Sequence, residues 1–120
     1  MNSSILGIIL LDLHGVTSFR SSLVSVLGLE KIATEFILVN VWSPFCEPCG
    51  AEVEILNKID AESSLKQKLT VLGVSADGRE REIKAFLNHF KPHYQQATVT
   101  DKSGRAVLLG LGRVPTTILF

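Results

Sequence analysis

Cys46 and Cys49 enclose Glu47-Pro48, and they are the only cysteines in the 120-residue chain. A structural disulfide framework needs cysteines spread along a sequence, so a lone pair two residues apart points to thiol-disulfide exchange. A thiolate attacks a disulfide and a thiol does not, yet a free cysteine has a pKa of about 8.5. The residues around the motif must therefore favour the anion. Phe36 to Trp42 before it reads as an apolar strand, and Val53, Leu56 and Ile59, with Ile55 alongside, recur at helical spacing after it. Cys46 is then expected at a helix N-terminus, where free N–H groups and the positive end of the helix dipole bring thiol pKa values to about 3.5–7.5.

Pro48 falls in the first helical turn, where its missing N–H costs nothing and its fixed φ favours helix initiation. Cys49 is then about one turn in, beside Cys46, which makes Cys46 the nucleophile and Cys49 the resolving thiol. Glu47 puts a carboxylate between them; like charge opposes thiolate formation and favours a reductant, at about 30 mV per 1.4 kcal/mol. Its plain alternative is a solvated glutamate at a helix start. Glu52, three residues beyond Cys49, shares its helical face, and if buried it suits a base for the Cys49 proton. Otherwise it is an exposed surface acid. Asn40, on the strand, cannot itself transfer a proton.

The elements that must position these groups alternate. After the strand and helix around the motif, Leu69 to Ala76 repeats the strand type, which implies a parallel strand–helix–strand unit. Ile83, Phe86, Leu87 and Phe90 form the stripe of a second amphipathic helix, ended by Pro92. Tyr94 to Thr100 reads as a short strand or extended segment, Lys102 to Leu109 as a short helix with Gly110 and Gly112 as its stop, and Val114 to Phe120 as a turn feeding a strand. The leading residues, Ser4 to Leu27, read either as two extended pieces about His14-Gly15 or as a strand and a short helix ending at Gly28.

One domain, 1–120, is expected, with residues 1–35 as an N-terminal strand or hairpin region and 36–120 as the redox core. Twelve basic residues balance twelve acidic ones in dispersed positions, so nothing in the charge suggests nucleic acid or an anionic membrane. Ile5 to Leu11 is too short to span a bilayer and lacks the basic start of an export signal, so it is expected to be a strand.

Taken together, Asn40-Val41-Trp42, the Cys46–Cys49 motif, Glu52, the strand Val71 to Ser75 and the stretch Gly110 to Thr117 resemble the TlpA/ResA-like branch of the thioredoxin superfamily. The resemblance runs from about Leu11 to Phe120. It implies an α/β fold with a central mixed β-sheet flanked by helices, and a cis peptide bond before Pro115 that faces the cysteines. Trp42, Val114 and Pro115 are then expected to bind an extended substrate. Asn40 stands where ordinary thioredoxins carry a buried aspartate, and Glu52 looks like the acid this branch uses instead. The resemblance implies a protein-disulfide reductase with a disulfide-containing client protein, an apocytochrome c in some members, and a thiol electron donor. No cofactor is implied. It implies an extracytoplasmic setting, periplasm or cell envelope, while the residues themselves leave the compartment open, the cytoplasm included.

The chain departs from that family in two places. Glu54 replaces a helix-bending proline. The closing strand and helix are missing after Phe120, so a C-terminally incomplete domain is expected, with an uncovered sheet edge available for association.

Three rival readings follow from the same residues. Zinc would need four ligands, and His14, His89 and His93 lie far from the motif, so no metal is expected. Ser43-Pro44-Phe45-Cys46 also suits a peroxiredoxin-like thiol peroxidase, although the close second cysteine favours dithiol exchange. The third is an inactive thioredoxin-fold binding module.

Overall fold

The computed structural model describes residues 8–9, 14–62 and 67–120. In chain order they form β1 (Ile8–Ile9), α1 (His14–Leu27), a 3₁₀ turn (Leu29–Lys31), β2 (Phe36–Trp42), α2 (Glu47–Ala61), β3 (Leu69–Ser75), α3 (Glu80–Phe90), β4 (Gln95–Ala97), α4 (Lys102–Leu109) and β5 (Thr116–Leu119). The strands make one mixed sheet in the order β1-β5-β2-β3-β4.

Alternation along β2 decides the layering. Ile37, Val39 and Val41 point to one face, where Leu72, Val74 and Ile118 meet Leu23 of α1 and Leu108 of α4. Leu38 and Trp42 point to the other, where Val71 meets Cys49, Val53 and Leu56 of α2 and Phe86 of α3. A strand buried on both faces must be apolar at odd and even positions alike, which is why β2 reads as a continuous hydrophobic run. Asn40, the polar exception, belongs by this alternation to the α2 face.

β2 and β3 pair in parallel over seven positions, from Phe36 opposite Leu69 to Trp42 opposite Ser75. α2 supplies the crossover, and both strands deliver their C-terminal ends to the edge where Cys46 lies. β4 extends the sheet in parallel beyond β3, and β5 returns antiparallel along β2. α3 closes at Lys91, whose φ of 54° is left-handed, and Pro92 follows. α4 starts at Asp101, whose side chain accepts from the Gly104 N–H at 2.8 Å. After it the left-handed turn falls at Gly112, φ 79°, rather than at Gly110.

Two expectations change. The hairpin reading of the leading region gives way to its alternative: α1 runs His14–Leu27 and is followed by Gly28 at φ 65°. Apart from Ile8 and Ile9, the rest of the proposed Ser4–Leu13 strand lies outside the described residues. The edge beyond β5 is also not bare, because Ile8 and Ile9 pair in parallel with Thr117 and Ile118. The edge expected to be uncovered is therefore partly covered, with the backbone at Thr117 and Ile118 engaged by β1. Among the described residues no helix is long and apolar enough to cross a membrane.

Candidate functional site

β2 ends at Trp42, and the next residues build the turn that starts α2. The Phe45 N–H donates to Ser43 Oγ at 3.1 Å, and the Cys46 N–H donates to the Ser43 carbonyl at 3.1 Å. Cys46 itself is the N-cap, in extended conformation at φ −97°, and Pro48 sits in the first turn of α2. The Cys49 N–H donates back to the Cys46 carbonyl at 3.2 Å. Cys46 and Cys49 form a disulfide with their Cα atoms 5.4 Å apart.

Burial divides the two sulfurs. Cys49 is 2% exposed and belongs to the apolar cluster under α2, whereas Cys46 is only half-buried. An incoming disulfide meets Cys46 first. At the N-cap the free N–H groups and the dipole favour its anion. Glu47 and Pro48 are exposed on the rim. Ser43, the residue that the peroxidase reading singles out, is buried and holds the turn through the Phe45 N–H.

Glu52 lies under the motif, 5% exposed. Burial pushes its carboxyl above the usual range, because desolvation penalises the charged form. Its Oε1 faces Asn40 Nδ2 at 3.5 Å, the outer limit of a hydrogen bond, and its Oε2 is buried without a partner. Asn40 Nδ2 also donates to Thr117 Oγ1 at 3.1 Å. The hydroxyl of Tyr94, buried on the same face, is pushed well above its ordinary value by burial first, then by Glu52 and Asp60. The alternative reading of Glu52 as an exposed surface acid is thus overturned. Glu54 is the exposed one, 3.7 Å from Lys58 across one helical turn.

The Val114–Pro115 bond is cis. Thr116 pairs with Val41 at the start of β5, which sets Pro115 at the level of Trp42, at the same end of the sheet as the disulfide. Val114 and Cys46 both pack against the cluster that holds Cys49. Beside them a cavity of about 240 Å³ is lined by Ser43, Asp77, Leu109, Gly112, Arg113 and Val114. Leu109 in its lining is 57% exposed, and Phe45, next to Cys46 in the chain, is 66% exposed.

Trp42 is not part of that surface, contrary to the expectation that it binds substrate. It is 3% exposed, stacked on Phe86 with ring centroids 4.2 Å apart, and its Nε1–H donates to Gln96 Oε1 at 3.1 Å. The physical reason is the period of the strand: position 42 faces α3, while the chain turns outward only after it. Reasoning from the residues also missed Thr117, Gln96 and Tyr94. Thr117 and Gln96 arrive through strand register and Tyr94 from the segment just before β4, and no local spacing signals such contacts. Among the described residues no three His, Cys, Asp or Glu side chains gather as metal ligands would.

No family model matches the chain. It is similar to the thiol-disulfide oxidoreductase ResA of Oceanobacillus iheyensis, 28% identical over 98 residues that cover 78% of this chain and 47% of that protein. It is similar also to the thiol:disulfide interchange protein DsbE of Pasteurella multocida, 28% identical over 83 residues, 69% of this chain and 43% of the relative. The chain spans about half the length of these curated relatives. Among solved structures, the thioredoxin domain of a thiol-disulfide oxidoreductase from Bacteroides vulgatus superposes with a TM-score of 0.61 at 29% identity, over 71% of this chain and 61% of that one.

Proposed function

We propose that the chain is a TlpA/ResA-like member of the thioredoxin superfamily, and that it is a thiol-disulfide oxidoreductase that reduces disulfides in client proteins. The observation that carries this reading is the asymmetry of the dithiol: a half-buried sulfur at the helix N-cap joined to a buried one, with a carboxyl beneath.

Reduction runs in two displacements. The Cys46 thiolate attacks one sulfur of the client disulfide, forming a mixed disulfide and expelling the other client sulfur as a thiolate. Glu52 takes the Cys49 proton, the Cys49 thiolate attacks the Cys46 sulfur, and the second client thiolate leaves. Two electrons pass to the client, and the protein is left with the Cys46–Cys49 disulfide. A thiol donor then reverses the same steps. The raised proton affinity of the Glu52 carboxyl suits this role, since a base works best when its pKa lies near the operating pH. Val114 and Pro115 would hold the client strand, and Glu47 and Pro48 would tune the potential. The Cys-Glu-Pro-Cys spelling and the likeness to ResA and DsbE support an extracytoplasmic setting and an apocytochrome c client carrying Cys-x-x-Cys-His.

The test is a redox titration of the Cys46/Cys49 couple in glutathione and dithiothreitol buffers, with client trapping by Cys49→Ala. A potential well below the glutathione couple, with mixed disulfides on Cys46, is expected. A value near −120 mV, about that of the strong oxidant DsbA, overturns the reductant assignment. Hydrogen peroxide consumed faster than protein disulfide would favour the peroxidase reading.

A further inference from the structure

Three polar side chains are buried together where α2 crosses β2 and β5: Asn40 at 3% exposure, Thr117 at 4% and Glu52 at 5%. Asn40 and Thr117 are direct partners in the antiparallel register. Buried polar groups are costly unless they satisfy one another, and here a single amide nitrogen serves two neighbours. Asn40 Nδ2 carries two protons; one goes to Thr117 Oγ1 at 3.1 Å and the other faces Glu52 Oε1 at 3.5 Å.

We propose that Asn40 and Thr117 are positioning residues for the Glu52 carboxyl: the hydroxyl at 117 accepts one N–H of the amide at 40 and so holds that amide against the acid with its other N–H toward Oε1. The catalytic meaning of this arrangement rests on the reading of Glu52 as the proton acceptor for Cys49. An N–H edge stabilises the ionised carboxylate. A carbonyl edge would repel the carboxylate and favour the protonated acid, whose O–H can donate to it. Thr117 thereby holds in place the donor that favours the ionised form of Glu52.

Aspartate at position 40 would oppose this, because two carboxylates at such a distance cannot both ionise freely. An amide leaves one ionisable group between the strands and α2. Other titratable groups around Glu52 are few. Cys49 lies one turn earlier on α2, and Tyr94 approaches from the segment before β4, with Asp60 acting on Tyr94 in turn. β2 and β5 contribute no ionisable side chain.

The test is a carbon-13 NMR titration of the Glu52 carboxyl in the disulfide form, where neither cysteine ionises. In Thr117→Val the hydroxyl is replaced at nearly constant shape, and in Asn40→Ala the donor is removed. Both should raise the Glu52 midpoint by roughly one pH unit, the size expected for losing a hydrogen bond to a charged group. Thr117→Ser should restore the midpoint, and Thr117→Ala replaces the valine variant if the latter does not fold. Midpoints unmoved in Thr117→Val and Asn40→Ala, with or without a loss of stability, overturn the proposal.

A second readout separates this inference from the function it rests on. Cys46 is loaded with thionitrobenzoate, and its release by Cys49 is followed against pH. If the rising limb follows the NMR midpoint, positioning and proton acceptance both hold. If the midpoint moves and the limb stays, the positioning stands, and the role of Glu52 as acceptor fails.

Discussion

The ring of Phe90 rests on the bare Cα of Gly50: a Cβ at position 50 would stand 2.3 Å from Phe90 Cζ. Gly50 directly follows Cys49, so the end of α3 is seated on the helical turn that holds the buried sulfur. Phe90 is also packed against Phe86, whose ring in turn stacks on Trp42.

Gly50→Ala must therefore push the tip of the Phe90 ring aside, and since Phe90 is 38% exposed the net cost should stay at about 1 kcal/mol, the low end for overpacking, although alanine is the better helix former. In a Phe90→Ala background the same change should become neutral or stabilising. Urea unfolding of the four proteins of this cycle measures the coupling, and equal effects of Gly50→Ala in both backgrounds would refute the contact.

The reduced protein should react unevenly with iodoacetamide. Cys46 is half-buried at the N-cap and Cys49 is 2% exposed, so alkylation of Cys46 should be at least about tenfold faster at neutral pH. Mass spectrometry of the singly modified protein identifies the site. Preferential labelling of Cys49 would reverse the assigned roles.

Stability should fall as pH rises above the ordinary glutamate range. The Glu52 carboxyl is raised in the folded protein by burial, so between its unfolded and folded pKa values the folded state binds more protons than the unfolded one. The linkage slope is then negative: the stabilisation is fully present below the unfolded value and is lost as pH passes the folded value. Glu52→Gln should flatten this dependence and raise stability at pH 8 relative to wild type. Unfolding free energies measured at pH 4, 6 and 8 decide it, and an unchanged slope in Glu52→Gln would remove Glu52 as its source.

Gln96→Leu should leave the Trp42 indole N–H buried without its acceptor, at a cost of about 1–3 kcal/mol. The Gln96 amide lies over Gly73, where an added Cβ would come within 2.6 Å of it, so Gly73→Ala should displace the same hydrogen bond. Trp42 is the only tryptophan, and its fluorescence reports both changes alongside chemical denaturation. Spectra identical to wild type in both variants would contradict the placement of Gln96.

Much of this protein was legible along the chain. The apolar run to Trp42, the stripe from Ile83 to Phe90 and the helix from Lys102 to Leu109 match their expected places, and the cis bond before Pro115 matches what the family resemblance implied. The helical face that Glu52 shares with Cys49 was legible as well, whereas the burial of Glu52 was decided by the packing of α2 on the sheet. Each legible feature depends on neighbours within about seven residues, or on a motif written in consecutive letters. The leading region resisted the same treatment, because its short apolar stretches fit a strand or a helix equally well until β1 finds β5 and Leu23 finds the core.

By itself, then, the sequence determined the dithiol, its place at a helix start and the order of strands and helices from Phe36 onward, since periodicity and N-terminal capping are local properties of the backbone. Tertiary structure alone decided that Trp42 is enclosed between Phe86 and Gln96, that β1 lies along β5, and that Thr117 stands against Asn40 above Glu52. Those partners lie 54 residues apart for Trp42 and Gln96 and 77 for Asn40 and Thr117. Sheet register and burial bring such groups into contact, and no spacing within either segment encodes it.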